Sequence, residues 1–121
     1  MRLFALRGAN SVEANEASAI LAATDALMRE LMERNALAPE SIVSCIFTCT
    51  EDLDAEFPAV AARRLGFDQV PLICAREIPV PGALPRVIRL LMHYHAAETH
   101  VSQHVYLRDA TALRADLRSA Q

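Results

Sequence analysis

The sequence predicts an α/β (α+β) domain, a mixed β-sheet with one long and one short helix packed on it. Three observations carry that prediction. Apolar residues recur at helical spacing over 16–35, alternate with period two over 2–7, and gather with β-branched residues over 42–49. Segments of the two kinds follow one another as β-α-β-α-β-β-β with short connections, the pattern of helices laid on a sheet. At 121 residues the chain is expected to form a single domain, 1–121.

The first strand is expected over 2–7, with Leu3 and Ala5 on one face, Phe4 and Leu6 on the other, and Arg7-Gly8 as its end. The long helix spans 16–35, with Asn15 as N-cap and Glu16 in the first turn. Ile20, Leu21, Leu27, Met28, Leu31 and Met32 form its apolar stripe, against Asp25, Arg29, Glu30, Glu33 and Arg34 on the solvent side. Pro39 opens a short helical turn, and IVSCIFTC at 42–49 reads as a strand. After a loop that ends near Phe57, Pro58 starts a short helix over 58–65, stopped by Gly66. QVPLICA at 69–75 is a third strand, with Pro71 pointing to an edge or a bulge. REIPVPGALP at 76–85 is a rigid irregular connection. RVIRLLMHYH at 86–95 is a strand that puts Val87, Arg89, Leu91 and His93 on one face, and QHVYLR at 103–108 is the last strand. The tail, 113–121, carries no pattern.

Composition narrows the chemistry. All twelve basic residues are arginine, so a Schiff-base lysine, a pyridoxal phosphate anchor and a P-loop lysine are excluded. The three glycines are isolated and form no GxGxxG turn. The net charge of −3 argues against nucleic acid as a partner. The apolar fraction of 53% and mean hydropathy of +0.18 are high for so small a domain, which points to apolar surface covered by another subunit. No apolar run is long enough to span a membrane, and Arg7 interrupts any signal-peptide core, so a cytoplasmic protein with reduced Cys45, Cys49 and Cys74 is expected.

Five kinds of residue stand out. Arg89 lies mid-strand between Ile88 and Leu90, where a permanent charge needs an anionic partner or an open rim. Arg7 closes a strand, Glu77 begins the rigid connection, and Tyr106 sits on the last strand. Arg63, Arg64 and Arg114 read as solvated surface, and Glu77 next to Arg76 equally fits a surface pair. His93 and His95 share a strand face, but no carboxylate or cysteine stands at a matching position, which disfavours a metal site. Cys74 has no visible base partner for nucleophilic catalysis. Arginines with one acid, a tyrosine and a thiol at strand ends suit a small polyanion such as a dicarboxylate, with no reaction specified.

Four segments resemble the AroH-type chorismate mutases: LRGA at 6–9, FTCTEDLDAEFPAVAAR at 47–63, VPLICAREIPVPGALPRVIR at 70–89 and HVYLRDATALRADL at 104–117. They cover most of the chain in the family's order. The resemblance implies a trimer with a barrel-like core, active sites in clefts between subunits, and a cofactor-free, metal-free Claisen rearrangement of chorismate to prephenate on the route to phenylalanine and tyrosine. Arg89 would then donate to the ether oxygen, Arg7 would bind a substrate carboxylate, and an ionised Glu77 would accept from the ring hydroxyl. Cys74 would line the site near that hydroxyl, and Tyr106 would bond a carboxylate. Phe57 and Arg63 of the adjacent subunit would wall the cleft, and Arg114 with the tail would close over the ligand. Some relatives carry lysine at Val60 and threonine at Ile73, positions that the resemblance places at the cleft mouth or in backbone contacts. The competing expectation is a non-enzymatic trimeric binder or sensor of a small carboxylate.

Overall fold

A computed structural model describes residues 1–113; Arg114 and the rest of the tail lie outside the described residues. Five strands form one sheet: β1 (Arg2–Ser11), β2 (Ile42–Cys49), β3 (Leu72–Arg76), β4 (Val87–Ala96) and β5 (Val105–Leu107). Their spatial order is β3-β2-β4-β1-β5. β4 pairs antiparallel with β1 and β2, while β3 and β5 run parallel to β2 and β1, so the sheet is mixed, as expected. α1 (Ala17–Arg34) is the long helix and α2 (Ala59–Arg64) the short one. One-turn 3-10 segments stand at Pro39–Ser41 and Phe67–Gln69, and a longer one at Arg108–Leu113. Among the described residues no helix is long and apolar enough to cross a membrane.

The core lies between the helices and one face of the sheet. Ile20, Leu27, Met28 and Leu31 of α1 are sealed against Leu6, Phe47, Leu90, Met92 and Val105 of the strands. Leu21 and Met32, at the margins of the helix stripe, are half-buried.

The first strand corrects an expectation. β1 does not end at Arg7-Gly8; it pairs with β4 without a break from Arg2–Ala96 to Ser11–Val87. Gly8 sits inside it for a packing reason. A Cβ there would lie 2.9 Å from Leu31 Cδ1 and 3.1 Å from Leu27 Cδ1, so the missing side chain lets α1 settle on the strand.

The other boundary differences have local causes. Asn15 does not cap α1: Glu16 holds the cap position without a side-chain bond. Asn15 instead ties the helix entry to the loop before α2, accepting from the backbone N–H groups of Asp54 and Ala55 and donating to Asp54 Oδ1 at 2.7 Å. Pro58 stands just ahead of α2 as its cap, and Gly66 ends that region in the left-handed conformation at φ 97°. The third strand starts at Leu72, after Pro71, and is an edge strand. Arg86, expected in the fourth strand, lies outside it at φ 49°, its backbone N–H held by the Asp52 carboxylate. The last strand is only Val105–Leu107. Gln103 is drawn away to Asn35, and Arg108 breaks the strand at φ 51°.

Candidate active site

The period-two alternation of the strands decides which residues meet on the reverse face of the sheet. With Leu90 and Met92 of β4 in the core, Arg89 and Leu91 point the other way. Register places Thr48 of β2 and Ala9 of β1 directly beside Arg89, and Arg7 beside Leu91. Arg7 and Arg89 therefore stand diagonally across neighbouring strands. Glu77 enters from the end of β3. Its backbone N–H donates to the Cys49 carbonyl at 2.8 Å, which continues β3 against β2 for one more rung.

The resulting cleft has a volume of about 260 Å³ and is lined by Arg7, Ile46, Thr48, Glu77, Arg89, Leu90 and Leu91. The Thr48 hydroxyl donates to Glu77 Oε2, and Arg89 Nη1 lies 3.5 Å from Glu77 Oε1. The Arg89 side chain is 39% exposed and that of Glu77 22%, so the pair sits at a rim rather than in the core. Arg89 has the anionic partner its position demanded, and that partner is Glu77. The Glu77–Arg76 surface pair does not form; Arg76 donates to the Glu51 carbonyl at 3.0 Å. At 3.5 Å only one of the five guanidinium N–H donors is engaged with Glu77, and loosely.

A second cleft, about 360 Å³, opens where β3 meets the loop before α2. Cys49, Asp54, Glu56, Phe57, Cys74 and Arg76 are among its walls. Cys74 lies here because it is paired in register with Phe47, on the helix side of the sheet. Within one chain the structure thus gathers Arg7, Glu77 and Arg89 in one cleft, and Phe57 and Cys74 in another. Ile73 is 60% exposed on the reverse face, beside Ile46 in register. Arg63 is exposed on α2, and Val60 is half-buried. Tyr106 is nearly buried in a small satellite cluster with Ala9, Val87 and Ala110.

Two further residues bear on the site in ways that reading along the chain does not reveal. Thr48 holds Glu77, and only the β2–β4 register reveals that it stands beside Arg89. His104 accepts a hydrogen bond from the Arg7 backbone N–H at its Nδ1, 2.9 Å away. Burial, with the nearby Arg7 charge adding to it, pushes the His104 imidazole below its ordinary range.

Burial pushes the Cys45 thiol up to about 12 and the Cys49 thiol to about 11. All three cysteines are free. His93 contacts the Ser44 hydroxyl at 3.3 Å, and His95 is exposed. Among the described residues no group of three or more His, Cys, Asp or Glu is placed to hold a metal ion.

Residues 3–117 match the family model described as chorismate mutase type I. Chorismate mutase AroH of Thermus thermophilus is 48% identical over 118 residues, covering 96% of this chain and 97% of that protein. Chorismate mutase AroH of Bacillus subtilis is 38% identical over 122 residues, covering 97% and 94%. The solved chorismate mutase from Clostridium thermocellum superposes with a TM-score of 0.87 at 45% identity, covering 91% of this chain and 99% of that one.

Proposed function

The chain belongs to the type I chorismate mutases, an isomerase family, and we propose that the cleft of Arg7, Glu77 and Arg89 is where it rearranges chorismate to prephenate. The observation that carries this reading is the pairing of Arg89 with Glu77 across a cleft that Arg7 also lines. A pericyclic rearrangement needs no nucleophile and no proton transfer. It needs a flexible dianion held in a compact conformer and charge stabilised as the ether bond breaks.

The side chains divide that work. Arg7 binds a substrate carboxylate. Arg89 donates to the ether oxygen, where negative charge grows as the C–O bond lengthens. One preorganised donor of this kind is worth roughly 3–4 kcal/mol in the transition state. Glu77, pinned by Thr48, accepts from the ring hydroxyl and faces the positive charge developing on the ring. No cofactor or metal has a part in this scheme. Tyr106 contributes a carboxylate contact from β5, and Arg114 lies outside the described residues.

The reading includes a homotrimer. The reverse face of the sheet shows Leu3 at 55%, Ile46 at 36% and Ile73 at 60% exposure around the charged cleft, more apolar surface than a lone small domain favours. A second copy laid on this face would cover it. It would also bring Phe57 and Arg63 of one subunit to the Arg7, Glu77 and Arg89 cleft of the next, completing the site between two copies.

The test is to add chorismate to purified, metal-free protein. Chorismate absorbance should fall as prephenate accumulates. Saturable binding without turnover would instead establish a small-carboxylate binder on the same scaffold. Sedimentation should give three times the chain mass, and an active monomer would end the inter-subunit reading.

A further inference from the structure

The β1–β5 ladder begins at Gly8–Val105 and stops there on its N-terminal side. Two residues before Val105, the backbone of Gln103 is already claimed. The buried Asn35, at the end of α1, accepts from the Gln103 N–H at 2.7 Å and donates to the Gln103 carbonyl at 3.0 Å. The ladder therefore offers Arg7 no backbone acceptor from Gln103. The His104 ring takes that place, and its Nδ1 accepts the Arg7 N–H. An accepting Nδ1 requires the neutral ring with its proton on Nε2.

We propose that His104 is a positioning residue for the reaction, holding the Arg7 backbone so that the guanidinium enters the cleft at a fixed angle. The proposal rests on Arg7 being a substrate-carboxylate ligand. It assigns His104 no contact with substrate. Asn35 belongs to the same device, because its clamp on Gln103 sets the ring's height against β1.

Protonation of the ring would remove the acceptor and place a second cation beside Arg7. The groups around the ring do not offset that charge. From β1 the charged neighbour is Arg7, and α1 sends the uncharged Asn35. The connection itself carries Glu98 and His100, the latter bonded to the Tyr94 hydroxyl at 2.7 Å. Beyond β5, Arg108 is paired with Glu13. The lowered proton affinity of His104 keeps the device intact into mildly acid solution.

The experiment compares wild type, His104→Ala, His104→Asn and Arg7→Ala, with kcat and KM for chorismate measured between pH 5 and 8. His104→Ala should raise KM about 5- to 10-fold at pH 7.5 while kcat changes less than about twofold. Asparagine places an acceptor oxygen where Nδ1 stood and does not titrate. His104→Asn should restore KM and abolish the rise in KM that wild type shows on the acid side. An unchanged KM in His104→Ala, or an acid-side rise that survives in His104→Asn, overturns the proposal. Arg7→Ala separates the two readings. If it raises KM and His104→Ala does not, only the positioning role fails; if it leaves KM unchanged, the role of Arg7 itself fails.

Discussion

Along β4, the face beneath α1 reads Ile88, Leu90, Met92 and Tyr94, all closed to solvent. The reverse face of the same strand reads Arg89, Leu91, His93 and His95, each at least partly open. A single strand thus serves two environments by alternation alone. The covered face is finished within one chain: its apolar groups meet helix side chains, and even the Cβ of Gly8 is dispensed with to let the helix approach. The reverse face is unfinished. It sets the Arg89 guanidinium, loosely paired with Glu77, among exposed aliphatic groups, the arrangement on which the proposed anion site between copies rests.

This contrast is open to attack from either side. The largest effect belongs to the reverse face. Arg89→Ala should lower kcat about 10²- to 10³-fold in a prephenate assay while the thermal midpoint stays near wild type. Arg89→Lys should recover little, because a point charge does not reproduce the planar fork. Retention of near-native kcat by the lysine variant would remove geometry from the explanation.

Next comes the covered face. Gly8→Ala should cost about 1–3 kcal/mol in urea unfolding, since the new methyl meets Leu31 and Leu27 at 2.9 Å and 3.1 Å. A neutral result would mean that α1 shifts freely on the sheet. Thr48→Val keeps the shape of the strand and deletes the hydroxyl on Glu77. A fall in kcat of about 3- to 10-fold, with stability unmoved, is expected.

The smallest effect near neutral pH is alkaline. Folding holds Cys45 and Cys49 protonated to about 12 and about 11, against an ordinary value of 9.0. Above pH 9 the unfolded chain has released protons that the native state keeps, so stability is full below that pH and is lost as pH climbs toward 11–12. At pH 9 the loss is on the order of half a kcal/mol per thiol. The slope of the urea midpoint against pH should flatten in a Cys45→Ala, Cys49→Ala double variant; an unchanged slope would assign the alkaline loss elsewhere.

Much of this was readable from the residues alone. The β-branched residues of 42–49 and the shared face of 86–95 mark two of the interior strands, and Arg89 stands out because a charge interrupts an apolar run. The limits of β1 and β5 were not readable, for a shared reason. Gly8 resembles a terminator until the helix above it is known, and QHVYLR resembles a strand until Asn35 claims Gln103. The sequence marks His104 only as one of four histidines and Thr48 not at all, because their roles depend on register between strands far apart in sequence. Arg7, Glu77, Cys74, Tyr106, Phe57 and Arg63 were picked out by position or by family resemblance. The structure adds that Arg7 and Glu77 line one cleft with Arg89, and that Phe57 and Cys74 line another.

The placement of β1 bears on how the chain acquires its shape. Its partners are β4 and β5, which lie far downstream in the sequence, yet it occupies the interior of the sheet between them. A chain emerging from the ribosome makes β1 and α1 early and must hold them without strand partners until Val87–Leu107 has been synthesised. Closure of so long a loop is a slow entropic step, so folding should be late, cooperative and rate-limited by the arrival of β4. Until then, the apolar residues of β1 and α1 are candidates for chaperone binding.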